Sequence, residues 1–143
     1  MENKNISWQT KPLLPVAWGE IFDKFTILQI KADFLQKANN PENLQKLQNV
    51  NNEKSLIQQV IGDLQKFPPD LQNLISQLHE INLQLWHIED SKRNHERQKL
   101  FDNDFIELAR NVYFKNDKRA EIKKQINLLL GSEIVEDKYY QKY

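Results

Sequence analysis

The chain contains no proline after Pro69, and its stretch from Asp70 to Tyr143 carries a single glycine, Gly131. A stretch this long without helix breakers, and rich in Leu, Ile, Gln, Lys and Glu, favours helix over strand. No segment alternates apolar and polar residues for long enough to predict a strand. The sequence therefore predicts an all-α protein, a helical bundle of four to five helices with an extended N-terminal arm.

Proline positions and composition divide this single domain into three parts. Residues 1-15 are predicted to form an N-terminal arm. In it, Trp8 and residues 11–15 are expected to lie over the bundle as an extended strap, because proline blocks helix and apolar residues need cover. Residues 16-131 are predicted to form the helical bundle, and residues 132-143 an aromatic and charged C-terminal tail.

The first two helices are predicted from apolar residues that recur at intervals of three and four. The first runs from about Val16 to Lys37 and is apolar on two sides, so it is either central in the bundle or shared with a partner. The second begins at Asn40-Pro41-Glu42, where asparagine caps the helix and proline occupies its first turn, and it ends near Lys66.

The second half of the chain is predicted to contain three more helices. The third starts after a cap at Asp70 and extends past Asp90. The fourth is centred on residues 105–112, and the fifth is capped by Asp117 and closed by Gly131 in a left-handed conformation.

Composition excludes several functional classes. A formal net charge of zero argues against a nucleic-acid binder, which needs Lys and Arg to neutralise phosphates. The absence of cysteine excludes disulfides, thiolate nucleophiles and Cys-ligated metals. No apolar run approaches the roughly 20 residues of a membrane span, and residues 1–10 contain no apolar signal core. We therefore expect no membrane insertion and a cytoplasmic location.

Several charged residues fall on predicted inward faces, where desolvation requires each to be paired or to line a cavity. Glu89 and Arg93 continue the inward stripe of the third helix, and Arg119 lies in line with the apolar residues of the last. One interpretation is a protruding end of the third helix, with Arg119 in a structural ion pair. The other is a polar pocket formed by all three side chains.

The first helix carries acids that suit a metal ion. Two of them are one turn apart, and bundle metal sites share such acids with a neighbouring helix. The candidate ligands of a divalent cation are Glu20, Asp23, Glu89 and Asp90. Lys24 and Lys31 lie on the same face of the first helix, so a solvated face with an ion pair between Glu20 and Lys24 is the alternative. No other cofactor is predicted.

Basic residues near the end of the chain suit an anion. Arg110, Arg119 and Lys123 are predicted to receive a phosphate or carboxylate together, with Glu107 one turn before Arg110. The histidines do not form a zinc motif, because position 83 is leucine and position 99 is lysine.

Residues 18–31, 85–90 and 105–132 resemble a family of small helical bacterial proteins of uncharacterised activity. The first block carries a WGExxDKxTIL-type motif and the last an ELAR…ND…INLLLGS-type motif. The charged and amide residues in the matching positions are Glu20, Asp23, Lys24, Lys31, Glu89, Asp90, Glu107, Arg110, Asn116, Asp117 and Arg119. The chain departs from the pattern at Phe22, Phe25 and His87. The resemblance implies no activity, but it places members beside or fused to glycosyltransferase-like proteins of cell-surface polysaccharide synthesis.

These sequence features are consistent with two functions. The preferred one is a non-catalytic interaction or accessory protein that binds a protein partner or associates with itself, in line with the two-sided first helix and the aromatic arm and tail. The alternative is a small enzyme or binding module for an anionic ligand, such as a phosphorylated sugar or nucleotide, with a divalent cation if the acids hold one. The alternative requires the acids and arginines to converge on one cleft.

Overall fold

Four long helices follow one another in the computed structural model, which describes residues 7–143. They are α1 (Trp18–Ala38), α2 (Leu44–Ile61), α3 (Asp70–Gln98) and α4 (Asn103–Leu129). Single turns of 3-10 helix, Pro41–Asn43 and Leu64–Lys66, precede α2 and α3. No residue within 7–143 lies in a strand, which confirms the all-α prediction. No helix in this range is both long and apolar enough to span a membrane.

The fourth and fifth predicted helices are a single helix, α4. Asp117 therefore does not begin a helix but lies within one, because no breaker separates it from Val112. The cap of α4 is Asp102, whose Oδ1 accepts a hydrogen bond from the backbone N–H of Phe105 at 3.1 Å. Asp70 is also not a cap. It is the first residue of α3, where its charge faces the positive end of the helix.

The caps predicted at Asn40 and Gly131 are confirmed. The side chain of Asn40 accepts a backbone hydrogen bond from the 3-10 turn that follows it. Gly131 has a φ of 61°, a conformation that glycine adopts without steric cost. The N–H of Gly131 donates to the backbone carbonyl of Leu128 at 3.3 Å, and the N–H of Ser132 donates to the backbone carbonyl of Asn127 at 2.9 Å. These two bonds form a Schellman motif that ends α4.

α1 is the central helix, since it contacts each of the other three long helices. Its two apolar sides are thus accounted for within the bundle. The polar contact between Asp23 and Asn82 and the stacking of Phe34 on Trp86, 5.0 Å apart, show that α1 and α3 run in parallel. α4 returns antiparallel to both.

The core is formed by fully buried side chains from all four helices, and burial of such side chains is the main favourable term in folding. They are Phe22, Ile61, Leu71, Leu78, Ile81, Ile122 and Ile126. Phe22 packs edge-on against Phe67 at 6.1 Å.

The predicted strap is not observed in the described part of the arm. Trp8, Leu13 and Leu14 are 71%, 83% and 73% exposed, so this part of the arm does not cover the bundle. Between the prolines the chain forms no helix, in line with the restriction that proline imposes. Trp18 packs against Phe67 at 5.4 Å and closes the core at this end without the arm. Residues 1–6 of the predicted arm lie outside the described residues.

Candidate functional site

A buried polar network lies where α1, α3 and α4 meet. Asp23 accepts a hydrogen bond from Asn82 Nδ2 at 2.9 Å, and the same amide nitrogen donates to Thr26 Oγ1 at 3.0 Å. Arg119 Nη1 donates to the amide oxygen of Asn82 at 3.3 Å. Asp23, Thr26 and Asn82 are all buried. A buried amide that both donates and accepts therefore connects an acid of α1 to a cation of α4.

Lys123 supplies the counter-charge for the acids of α1. Its Nζ lies 2.7 Å from Glu20 Oε2 and 3.4 Å from Asp23 Oδ2. Burial lowers the pKa of Lys123, but the hydrogen bond to Glu20 and the charges of Asp23, Glu20 and Glu136 outweigh it and leave the pKa raised. The network therefore holds a charged lysine against two carboxylates.

The N-terminus of α1 is capped by side chains from the far end of the chain. Its N-cap residue, Ala17, has no side chain that can accept a hydrogen bond. Instead, Asn127 Oδ1 accepts from the N–H of Gly19 at 2.6 Å, and Ser132 Oγ accepts from the N–H of Trp18 at 3.3 Å. The start of α1 and the end of α4 thus meet in space.

Several predicted site residues do not join this network. Glu89 is half exposed and pairs with Arg93 at 3.1 Å and Lys92 at 3.8 Å on the surface of α3. It lies seven residues beyond Asn82, or about 10 Å along the helix, and the adjacent Asp90 is exposed.

The four acids predicted to share a cation therefore do not come together. Within residues 7–143, no group of three potential His, Asp or Glu ligands is arranged around a metal position. The predicted pocket of Glu89, Arg93 and Arg119 does not form either, because Arg119 faces Asn82 instead. Lys24 and Lys31 are exposed on α1, as the solvated-face interpretation predicts. The ion pair that this interpretation placed between Glu20 and Lys24 is not observed, because Glu20 pairs with Lys123 of α4 instead.

Arg110 is also separate from the other two cations of the predicted anion site. It pairs with Glu107 at 2.7 Å on the exposed face of α4 and lies over the ring of Phe114. The hydrogen bond to Glu107 raises the pKa of its guanidinium above the ordinary value. Arg110 precedes Arg119 by nine residues, or about 13 Å along the helix.

A cleft of about 820 Å³ lies between α4 and the C-terminal tail, a size usual for small-molecule sites. Its lining residues come from α4 and the end of the tail: Val112, Tyr113, Asn116, Asp117, Arg119, Lys138, Tyr140, Gln141, Lys142 and Tyr143. Three of the predicted site residues, Asn116, Asp117 and Arg119, therefore share one cleft.

Asp117 joins the two walls of the cleft. Its Oδ2 accepts a hydrogen bond from the hydroxyl of Tyr143 at 2.6 Å, and its Oδ1 accepts from Lys138 Nζ at 3.0 Å. The Tyr143 hydrogen bond, and after it Lys138, lowers the pKa of Asp117, and the same contact raises the pKa of Tyr143. The ring of Tyr143 packs against Tyr113 and Phe114, with centroids 5.3 Å from each.

Cations gather where this cleft meets a smaller cavity of about 110 Å³. The two share Asn116, Arg119 and Lys138, and the smaller one adds Lys123 and Lys124. The polar network thus lies directly behind this cavity and holds Arg119 and Lys123 in place.

The sequence places Asn82 on the inward stripe of the third helix, but neither Asn82 nor Asn127 was among the predicted site residues. Asn82 and Asn127 are each buried on an apolar helical stripe, and a polar residue at such a position signals a satisfied hydrogen-bond network. Lys138 and Tyr143 were predicted only as part of the tail, because no local sequence pattern shows that the tail contacts α4.

No protein-family profile, curated protein or solved structure matches the chain.

Proposed function

We propose that this protein is a non-catalytic binding module for a small anionic ligand, which it holds in the cleft between α4 and the tail. The observation that carries the proposal is the charge of this cleft. Arg119, Lys138 and Lys142 line it with a single acid, Asp117, both of whose oxygens already accept hydrogen bonds. An anion entering there meets the donors of these cations.

The predicted acids and arginines do not converge on one cleft, so we propose neither the metal-dependent nor the enzymatic form of this function. The arrangement of the acids favours binding over catalysis. Glu20 and Asp23 are engaged by Lys123 and Asn82, inside the bundle. A general acid or base must instead reach a reacting atom within hydrogen-bond distance. These carboxylates act as supports that fix the cations of α4.

The resemblance gives the proposal its context. A helical accessory protein of cell-surface polysaccharide synthesis would meet phosphorylated sugars and nucleotides, whose phosphates suit Arg119 and whose rings suit the tyrosines of the cleft. We therefore place the ligand in that chemical class.

Isothermal titration with uridine monophosphate and with inorganic phosphate tests the proposal. We expect the nucleotide to bind, and Arg119→Ala to weaken it about tenfold, the cost of one charge-assisted hydrogen bond. Lys142→Ala, which leaves the buried network intact, should also weaken it. The matched control is Arg93→Ala, an exposed arginine outside the cleft. No binding at millimolar ligand, or equal losses in all three variants, would rule the proposal out.

Self-association is a second candidate function, favoured by the turn between α3 and α4. Leu100, Phe101 and Ile106 are about half exposed there, and exposed apolar groups at one place are typical of contact surfaces. Sedimentation velocity of the wild type and Phe101→Ser tests it. A concentration-dependent dimer that the substitution removes would support this function, whereas a monomer at all concentrations would exclude it.

A further inference from the structure

We infer that Asp117 is the positioning residue of the cleft: it fastens the tail to α4, so that ligand binding and docking of the tail are coupled. This inference rests on the proposed function and adds how the site is built and regulated. Asp117 does not itself bind the ligand in this proposal, since its two oxygens accept hydrogen bonds from Lys138 and Tyr143.

The tail forms half of the cleft. Five of its ten lining residues belong to α4, and the other five belong to the tail: Lys138, Tyr140, Gln141, Lys142 and Tyr143. Two of the three cations that line it, Lys138 and Lys142, are therefore present only when the tail is docked. Without the tail, α4 presents Arg119 on an open helical surface.

Few contacts fasten the end of the tail. Residues 133–143 are exposed and belong to no helix. The two hydrogen bonds to Asp117 and the packing of Tyr143 on Tyr113 and Phe114 hold residues 138–143. A segment with exposed hydrogen bonds and little buried apolar area opens locally at low free-energy cost.

Coupling follows from these two observations. A ligand that contacts both walls binds the docked tail better than the undocked one, so it shifts the equilibrium toward the docked state. Conversely, any change that undocks the tail lowers the apparent affinity in proportion to the fraction docked.

Limited proteolysis of the full chain separates fastening from binding. Trypsin cleaves after Lys138, and we expect Asp117→Asn to speed this cleavage several-fold without ligand, because an amide keeps the shape of the side chain but places an N–H₂ group near one of its two donors. Tyr143→Phe, which removes one hydrogen bond, should act in the same direction. Asp104→Asn, in the exposed first turn of α4, is the matched control.

Titration with uridine monophosphate completes the test. We expect Asp117→Asn to bind it several-fold more weakly, and saturating nucleotide to slow cleavage of the wild type. Arg119→Ala should lose affinity while its tail is cleaved at the wild-type rate without ligand. Equal cleavage of Asp117→Asn and wild type overturns the fastening role, and faster cleavage with unchanged affinity overturns the coupling. If the wild type binds no nucleotide, the proposed function fails together with the coupling, and faster cleavage of Asp117→Asn then supports the fastening role alone.

Discussion

Gly19 lies at the closest approach of α1 to α4. A Cβ atom built on it would lie 2.5 Å from the carbonyl oxygen of Lys123 and 3.0 Å from Asn127 Oδ1. Both neighbours are constrained, the first because it is helical backbone and the second because it caps α1. Glycine at this position therefore lets the two helices carry the polar network between them.

Gly19→Ala is expected to destabilise the protein by about 1–3 kcal/mol, as overpacking in a filled site does. The sign is diagnostic, because the same change at an uncrowded helical position stabilises a protein by about 0.5–1 kcal/mol. Urea unfolding followed by circular dichroism measures the difference. An increase in the free energy of unfolding would show that α1 and α4 have room to separate.

The sequence identified part of the site at the level of single residues. Arg119 could be singled out as a charge on an inward helical face. Glu20 and Asp23 could be singled out as acids one turn apart, and Lys123 as a basic residue near Arg119. Their link through Asn82 could not, because it depends on α1 and α3 running in parallel at a particular register. Periodicity gives the face of each helix but neither its direction nor its neighbours.

Helix ends show the same division between local and tertiary information. Gly131 and Asn40 are local signals, and both caps were predicted. The capping of α1 by Asn127 and Ser132 comes from residues more than 100 positions away and has no local signature. The break expected before Asp117 was wrong because a capping residue type can also lie within a helix.

Lys99 ends α3 in a left-handed conformation, with a φ of 54°. This conformation costs most L residues about 1–2 kcal/mol, and glycine adopts it freely. We expect Lys99→Gly to raise the free energy of unfolding by about 1 kcal/mol, and the melting temperature by about 3 °C for a chain of this size. The substitution also removes the exposed ion pair of Lys99 with Glu96, but loss of such a surface pair offsets little of the gain in stability.

Asn39, which ends α1 with a φ of 44°, provides the comparison. Asparagine tolerates the left-handed region better than lysine, so Asn39→Gly should stabilise less. Equal melting shifts for the two variants, measured by scanning calorimetry, would contradict this account of the helix ends.

The ion pair of Lys123 with the acids of α1 links the stability of the whole fold to pH. Because its pKa is raised in the folded state, its contribution is fully present below the ordinary value of 10.5 and is lost as pH rises through the folded value. We expect the free energy of unfolding to decline above about pH 10.5. Lys123→Met should be less stable at pH 7 and show a shallower alkaline decline in urea titrations. If the free energy of unfolding declined equally with pH in the wild type and in Lys123→Met, the alkaline decline would come from other groups, such as the tyrosines.

The bundle is not equally thick along its length. Phe34 lies beside Trp86, and α1 ends four residues later, whereas α3 continues for twelve. Residues 91–98 of α3 and 103–109 of α4 include no buried side chain, so this end of the bundle adds little to the core. His95, 3.6 Å from Asp102, and the contact of Phe101 with Phe105 hold this end together. Glu89 and Arg93 are exposed at this end, in line with the interpretation of their charges as a protruding helix end. The ion pair that the same interpretation expected for Arg119 is not observed, because Arg119 donates to the amide of Asn82.

Amide hydrogen exchange should report this geometry. We expect residues 92–98 and 103–109 to exchange faster than residues 76–88. No residue of the first two segments is buried, whereas the third contains buried Leu78, Ile81 and Ile88, and a segment that buries little apolar area opens locally at lower free energy. Mass spectrometry of peptides from both regions gives the comparison. The contrary result is equal protection along all of α3 at high protein concentration. If dilution or Phe101→Ser then removed this protection, a second copy of the chain would cover this end, as self-association requires.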